Sequence, residues 1–128
     1  MAGTPRPGTI TWTDLTVDNA EQLRDFYQAV TGWTAEPVPM NGYADYAMTD
    51  ADGDAAAGIC HARGSNADLP PQWLVYITVE DLDHSIAECQ RLGGSIVTPP
   101  RSYGSGRYCV SKDPAGDVCA LYQPPDAA

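Results

Sequence analysis

Between residues 10 and 17 apolar and polar residues alternate and β-branched types dominate, which predicts a strand. Asp18 or Asn19 can cap a following helix, in which Leu23, Phe26, Tyr27 and Val30 recur at helical spacing until Gly32 stops it. Shorter strands are predicted near 33–38, 43–49 and 55–61. The same order then returns. A strand over 73–79 leads through Glu80 and Asp81 into a helix carrying Leu82, Ile86, Cys89 and Leu92, closed by Gly93 and Gly94. Strands near 95–98, 107–112 and 117–123 complete the second half.

The two halves align when the chain is slid by 62 positions. Thr16-Val17-Asp18-Asn19 then falls on Thr78-Val79-Glu80-Asp81, Gly32 on Gly94, Pro37 on Pro99, Tyr46 on Tyr108 and Ile59 on Leu121. The reading is one domain, 1–128, made of two modules at about 9–63 and 72–123. The join holds Gly64, Ser65, Asn66, Pro70 and Pro71 and reads as a linker. The expected class is α+β: two tandem βαβββ modules forming a curved mixed sheet around a cleft, with the helices on the outer face. Strand alternation turns Leu15, Val17, Ile77 and Val79 toward the helices. It turns Trp12, Asp14, Leu74 and Tyr76 toward the cleft, with Gly58, Cys60, Val118, Ala120 and Tyr122 from the closing strands.

Charge narrows the partners. A formal net charge of −10 opposes nucleic acid and anionic membrane surfaces and favours a cationic ligand. No apolar run is long enough to span a membrane, and residues 1–8 lack the apolar segment of a signal peptide, so a cytoplasmic protein is expected. Residues 124–128 read as a frayed tail. The four cysteines, Cys60, Cys89, Cys109 and Cys119, match no zinc spacing and are expected as reduced thiols.

Asp14 is the leading candidate for chemistry, because a carboxylate in an apolar cleft can act as a general base or hold a cation. Tyr76 stands at the matching place in the second module and could donate its hydroxyl. Trp12, Tyr108 and Tyr122 join them as ligand-binding candidates, since flat rings stack on planar molecules and attract cations, and Leu74 and Cys60 join because alternation turns them toward the cleft. Cys60 faces the cleft, but no base beside it is evident to activate the thiol. His61 is expected on the helix side or at the edge and His84 in the first turn of the second helix, both as surface residues. The run Asp50-Ala51-Asp52-Gly53-Asp54 lacks the distal Glu of a calcium loop and reads as a hairpin turn, like Asp113–Asp117.

The stretch from Trp12 to Asp18, the following Asp25-Phe26-Tyr27 and Thr31-Gly32-Trp33, and the closing Asp113-Pro114-Ala115-Gly116-Asp117 together resemble the vicinal oxygen chelate (glyoxalase/bleomycin resistance/dioxygenase) superfamily, in its branch related to lactoylglutathione lyase. The resemblance implies a divalent metal held by the first and last strand of each module. Those positions fall on Trp12, Gly58, Leu74 and Ala120, none of which can ligate, so no metal cofactor is expected. The resemblance also implies a homodimer. Three functions follow: a metal-independent protein binding an aromatic or cationic small molecule in the cleft; a metal-independent lyase, isomerase or epimerase using Asp14 and tyrosine donors; or an interaction module with a vestigial cleft.

Overall fold

The computed structural model describes residues 5–125, apart from the side chain of Ser65. The readings made on residues 1–4 and on the last three positions of the C-terminal tail lie outside the described residues. In order, the elements are β1 (Ile10–Val17), α1 (Ala20–Thr31), β2 (Thr34–Pro39), β3 (Ala44–Thr49), β4 (Ala55–His61), β5 (Trp73–Thr78), α2 (Leu82–Arg91), β6 (Ser95–Tyr103), β7 (Gly106–Lys112) and β8 (Val118–Gln123). A short 3₁₀ turn at Gly64–Asn66 lies in the join. Each half therefore runs β-α-β-β-β. None of the described helices is long and apolar enough to cross a membrane.

The helix boundaries follow local chemistry. Asp81 caps α2 by accepting from the His84 backbone N–H. Asn19 occupies the equivalent place before α1, but its amide donates to Gln22 Oε1 instead. Gly32 ends α1 at φ 80°, a left-handed conformation that a side chain would strain. The apolar stripe of α1 is narrower than its spacing suggests. Leu23 and Tyr27 pack inward, whereas Phe26 and Val30 are 52% and 63% exposed. Leu92 is likewise exposed, because α2 ends at Arg91.

The chain forms two compact units. One is Trp12–Trp73; the other takes Leu74 onward together with the chain up to Thr11. In the first unit the strand order is β2-β3-β4-β1, with β1 and β4 parallel and the other pairs antiparallel. Leu15, Val17, Tyr46, Met48 and Ile59 from the sheet meet Ala20 of α1, with Leu23, Tyr27, Trp33 and Trp73 packed around them. Burying each large side chain contributes roughly 1.5–3 kcal/mol. Trp73 closes this core by donating its indole N–H to the Tyr27 hydroxyl at 3.1 Å.

In the second unit the residues just before β1 pair with β5, the Gly8 N–H donating to the Thr78 carbonyl and the Thr78 N–H to the Thr9 carbonyl, and β5-β8-β7-β6 follow. Strands β5 and β8 are parallel; β8, β7 and β6 are antiparallel. Helix α2 packs against β6, β7 and β8. Gln123 of β8 receives the Leu82 N–H, and Arg107 of β7 reaches Asp83, so odd-numbered residues of these strands lie on the α2 side.

Two hairpins repeat one turn. Asp50 Oδ1 accepts the N–H groups of Asp52 and Asp54, and Asp113 Oδ1 accepts those of Ala115 and Asp117. These are Asx turns. The alignment of Tyr46 with Tyr108, however, fails. Tyr46 pairs with Ile59 on the α1 side, whereas Tyr108 pairs with Tyr122 on the face away from α2. The counterpart of Tyr46 is Cys109, which pairs with Leu121. The one-residue offset is absorbed at Ala56: Met48 pairs with Ala57 and Thr49 with Ala55, leaving Ala56 as a bulge. The outer strands carry prolines, Pro37 and Pro39 in β2 and Pro99 and Pro100 in β6, the latter at a register break between Thr98 and Arg101.

Candidate functional site

On the first unit, parallel pairing sets Asp14 beside Gly58 and Thr16 beside Cys60, on the face opposite α1. Asp14 is 8% exposed. Gly58 admits this arrangement because a Cβ there would stand 3.2 Å from the Asp14 Cβ and 3.5 Å from Trp12 Cζ2. Thus Trp12, Asp14 and Cys60 share one face, as strand alternation predicts. Burial first, then the charges of Asp14 and Asp45, push the Cys60 thiol far above the ordinary range, which favours its protonated form.

On the second unit, the face away from α2 is aromatic. Tyr76 pairs with Ala120, and Tyr108 with Tyr122. Tyr76 stacks on Tyr103 with ring centroids 5.9 Å apart and lies 6.0 Å from Tyr108. Tyr103 meets Tyr108 and Tyr122 edge-on, each at 5.6 Å. Leu74 lies on the same face two residues before Tyr76 and is fully covered. Beside the cluster opens a pocket of about 410 Å³ lined by Pro5, Tyr103, Gly104, Ser105, Tyr122, Pro124 and Pro125. Tyr103 was missing from the site residues chosen by sequence, since the strand that carries it extends beyond the predicted 95–98.

The positions that the superfamily resemblance assigns to metal ligands carry an indole (Trp12), a hydrogen (Gly58), an isobutyl group (Leu74) and a methyl group (Ala120). None offers a lone pair to a divalent ion, and a Cβ at 58 would already touch the Trp12 ring at 3.5 Å and crowd the Asp14 Cβ at 3.2 Å. These residues do not fit the family's metal. Among the described residues no group of three His, Cys, Asp or Glu side chains is arranged to hold an ion elsewhere.

His61 departs from the expected surface position. It is 8% exposed, with Nε2 2.9 Å from Glu21 Oε2 and Nδ1 3.2 Å from Asp45 Oδ1. Its backbone N–H donates to the same Asp45 oxygen. The Glu21 carboxyl is held below the usual range by its own backbone N–H and then by the imidazole. The arrangement ties α1 to β3 and β4. His84, by contrast, is exposed, as expected.

Three thiols lie in the second unit. Burial pushes Cys109 up to about 11 and raises Cys119 as well. Unfolded thiols ionise near pH ~8.5. Above that pH the unfolded chain has released protons that the folded chain still holds, so stability falls as pH rises toward the folded value. The contribution is complete below about pH 8 and declines above it, by at most about 1.4 kcal/mol per pH unit for each such thiol. Urea unfolding at pH 7 and pH 10 is expected to show a smaller loss for Cys109→Ala than for the unaltered chain; equal losses would contradict the assignment.

Comparison with known proteins adds the following. The family model described as Glyoxalase/Bleomycin resistance protein/Dioxygenase superfamily matches residues 9–118. The glyoxylase-named protein CFP32 of Mycobacterium tuberculosis is 33% identical over 122 residues, covering 92% of this chain and 46% of its own length. The anthracycline biosynthesis protein DnrV of Streptomyces peucetius is 30% identical over 130 residues, covering 91% and 47%. This chain thus spans about half the length of these curated relatives. Among solved structures, methylmalonyl-CoA epimerase from Mycobacterium tuberculosis superposes with a TM-score of 0.60 at 16% identity, covering 98% of this chain and 94% of that one, a likeness of fold.

Proposed function

The chain belongs to the Glyoxalase/Bleomycin resistance protein/Dioxygenase superfamily, and from that premise we propose that it is a metal-independent small-molecule-binding protein that takes a planar aromatic ligand on its tyrosine face. The observation that carries this reading is the cluster of Tyr76, Tyr103, Tyr108 and Tyr122, of which Tyr103 and Tyr122 line a pocket of about 410 Å³. That volume suits a small ligand. Tyrosine rings provide stacking area with hydroxyls at the rim. A relative named for anthracycline biosynthesis is in keeping with a flat, fused-ring ligand. The net charge of −10 would favour a cation at long range, yet among the described residues no carboxylate lines this pocket. The proposal includes a homodimer and a reducing, cytoplasmic setting in which the four cysteines stay free.

The test is calorimetric titration with naphthol as a neutral planar probe. Tyr103 is 43% exposed, so Tyr103→Ala should fold. It is expected to weaken binding about tenfold, the loss of one aromatic contact of roughly 1.4 kcal/mol. Equal affinity in both proteins, or no binding to either, would sink the reading. A second reading, an acid–base enzyme acting on a small metabolite, is favoured by the buried carboxyl of Asp14. On that reading turnover survives a chelator and falls by about 10²-fold or more in Asp14→Asn.

A further inference from the structure

Strand β6 continues past Pro99 and Pro100, and Arg101 comes to stand directly opposite Tyr108, which itself stands opposite Tyr122. Opposed residues of an antiparallel pair project to the same face with Cβ atoms about 5 Å apart. Two residues further along the same strand is Tyr103. Arg101 therefore flanks the tyrosine cluster from the side. Of the five other arginines, four have side-chain partners: Arg24 binds Asp25, Arg63 lies over the Tyr43 ring, Arg91 binds Glu88 and Arg107 reaches Asp83; Arg6 has none among the described residues and is not paired with the tyrosine strands. Arg101 is exposed and has no acceptor or ring partner among the described residues. In a chain with 17 carboxylate side chains and 7 basic ones, an unengaged cation beside an aromatic face stands out.

We propose that the ligand of the tyrosine face is an aromatic acid, a planar ring system bearing a carboxylate that Arg101 receives. This rests on the aromatic-ligand reading above and adds the charge of the ligand to it. A guanidinium presents two parallel N–H groups that match a carboxylate. The long-range repulsion of the acidic chain is damped beyond about 8 Å at physiological salt, so the local cation decides. The site thus selects for an acid within a protein whose overall charge would suggest the opposite.

The experiment compares naphthoate with naphthol, which share the ring system and differ in the anion. The unaltered protein is expected to bind naphthoate about tenfold more tightly than naphthol, as one charge-assisted pair provides. Arg101→Gln should abolish that preference and leave naphthol affinity unchanged; Arg101→Lys should keep part of it, and added salt should shrink it. If naphthol binds and Arg101→Gln leaves the preference as it was, the role of Arg101 is refuted while the aromatic site stands. If neither probe binds, both fall.

Discussion

Replacing Met48 by alanine is expected to lower the free energy of unfolding by about 2–5 kcal/mol. Met48 is wholly buried in β3, on the side of the sheet that meets α1. Its cross-strand neighbours are Ala35 in β2 and Ala57 in β4. Both carry a single methyl group, so neither has reach to collapse into the space left behind, and the loss should fall in the upper part of that range. A flexible thioether suits such a gap. Met48→Leu, nearly equal in volume, should cost less than about 1.5 kcal/mol. Urea unfolding monitored by circular dichroism measures both. A loss under about 1 kcal/mol for the alanine variant would mean that this core is not packed as described.

Gly106→Ala is expected to damage both stability and binding. A Cβ at this position would lie 2.5 Å from the Gln123 carbonyl oxygen and 2.9 Å from both Cε1 and the hydroxyl of Tyr122. The carbonyl belongs to the β7–β8 ladder, where Arg107 pairs with Gln123, and cannot retreat without opening it. Tyr122 must then swing aside, and it is a wall of the pocket. Overpacking of this kind costs about 1–3 kcal/mol. Naphthol affinity should fall more than tenfold, because displacing the ring removes a contact of the order of 1.4 kcal/mol and distorts its neighbour Tyr103. A variant of normal stability that binds naphthol normally would show that Tyr122 does not line the working site.

Much of this architecture was legible beforehand, and the exceptions have physical causes. Alternation in β1 and β5 placed Asp14 and Tyr76 on the faces away from the helices, as the pairings Asp14 with Gly58 and Tyr76 with Ala120 show. The Asp-rich runs betrayed themselves as turns because a carboxylate after a strand readily binds the next backbone N–H groups. Tyr46 and Tyr108 were matched by identity alone, and a bulge at Ala56, which a constant offset cannot represent, hid their different faces. Tyr103 counts among the aromatic residues available to a cleft but, like Arg101, is not assigned to the site by sequence, because Pro99-Pro100 reads as the end of a strand. The strand instead survives with a register break at its outer position. His61 was placed on the correct side, but its burial depends on Glu21 and Asp45, residues distant in sequence whose approach no periodicity encodes.

The prolines of β2 and β6 bear on what this protein can recognise at all. An exposed strand margin normally invites an extended peptide or a second chain to zip on through backbone hydrogen bonds. Pro37 and Pro39 on one margin and Pro99 and Pro100 on the other carry no backbone N–H, and proline on an edge strand blunts such pairing. Fibre growth by strand addition is discouraged at both places, and so is capture of a peptide by the same route. Discrimination is left to side chains, which suits a receptor for compact molecules better than one for extended chains.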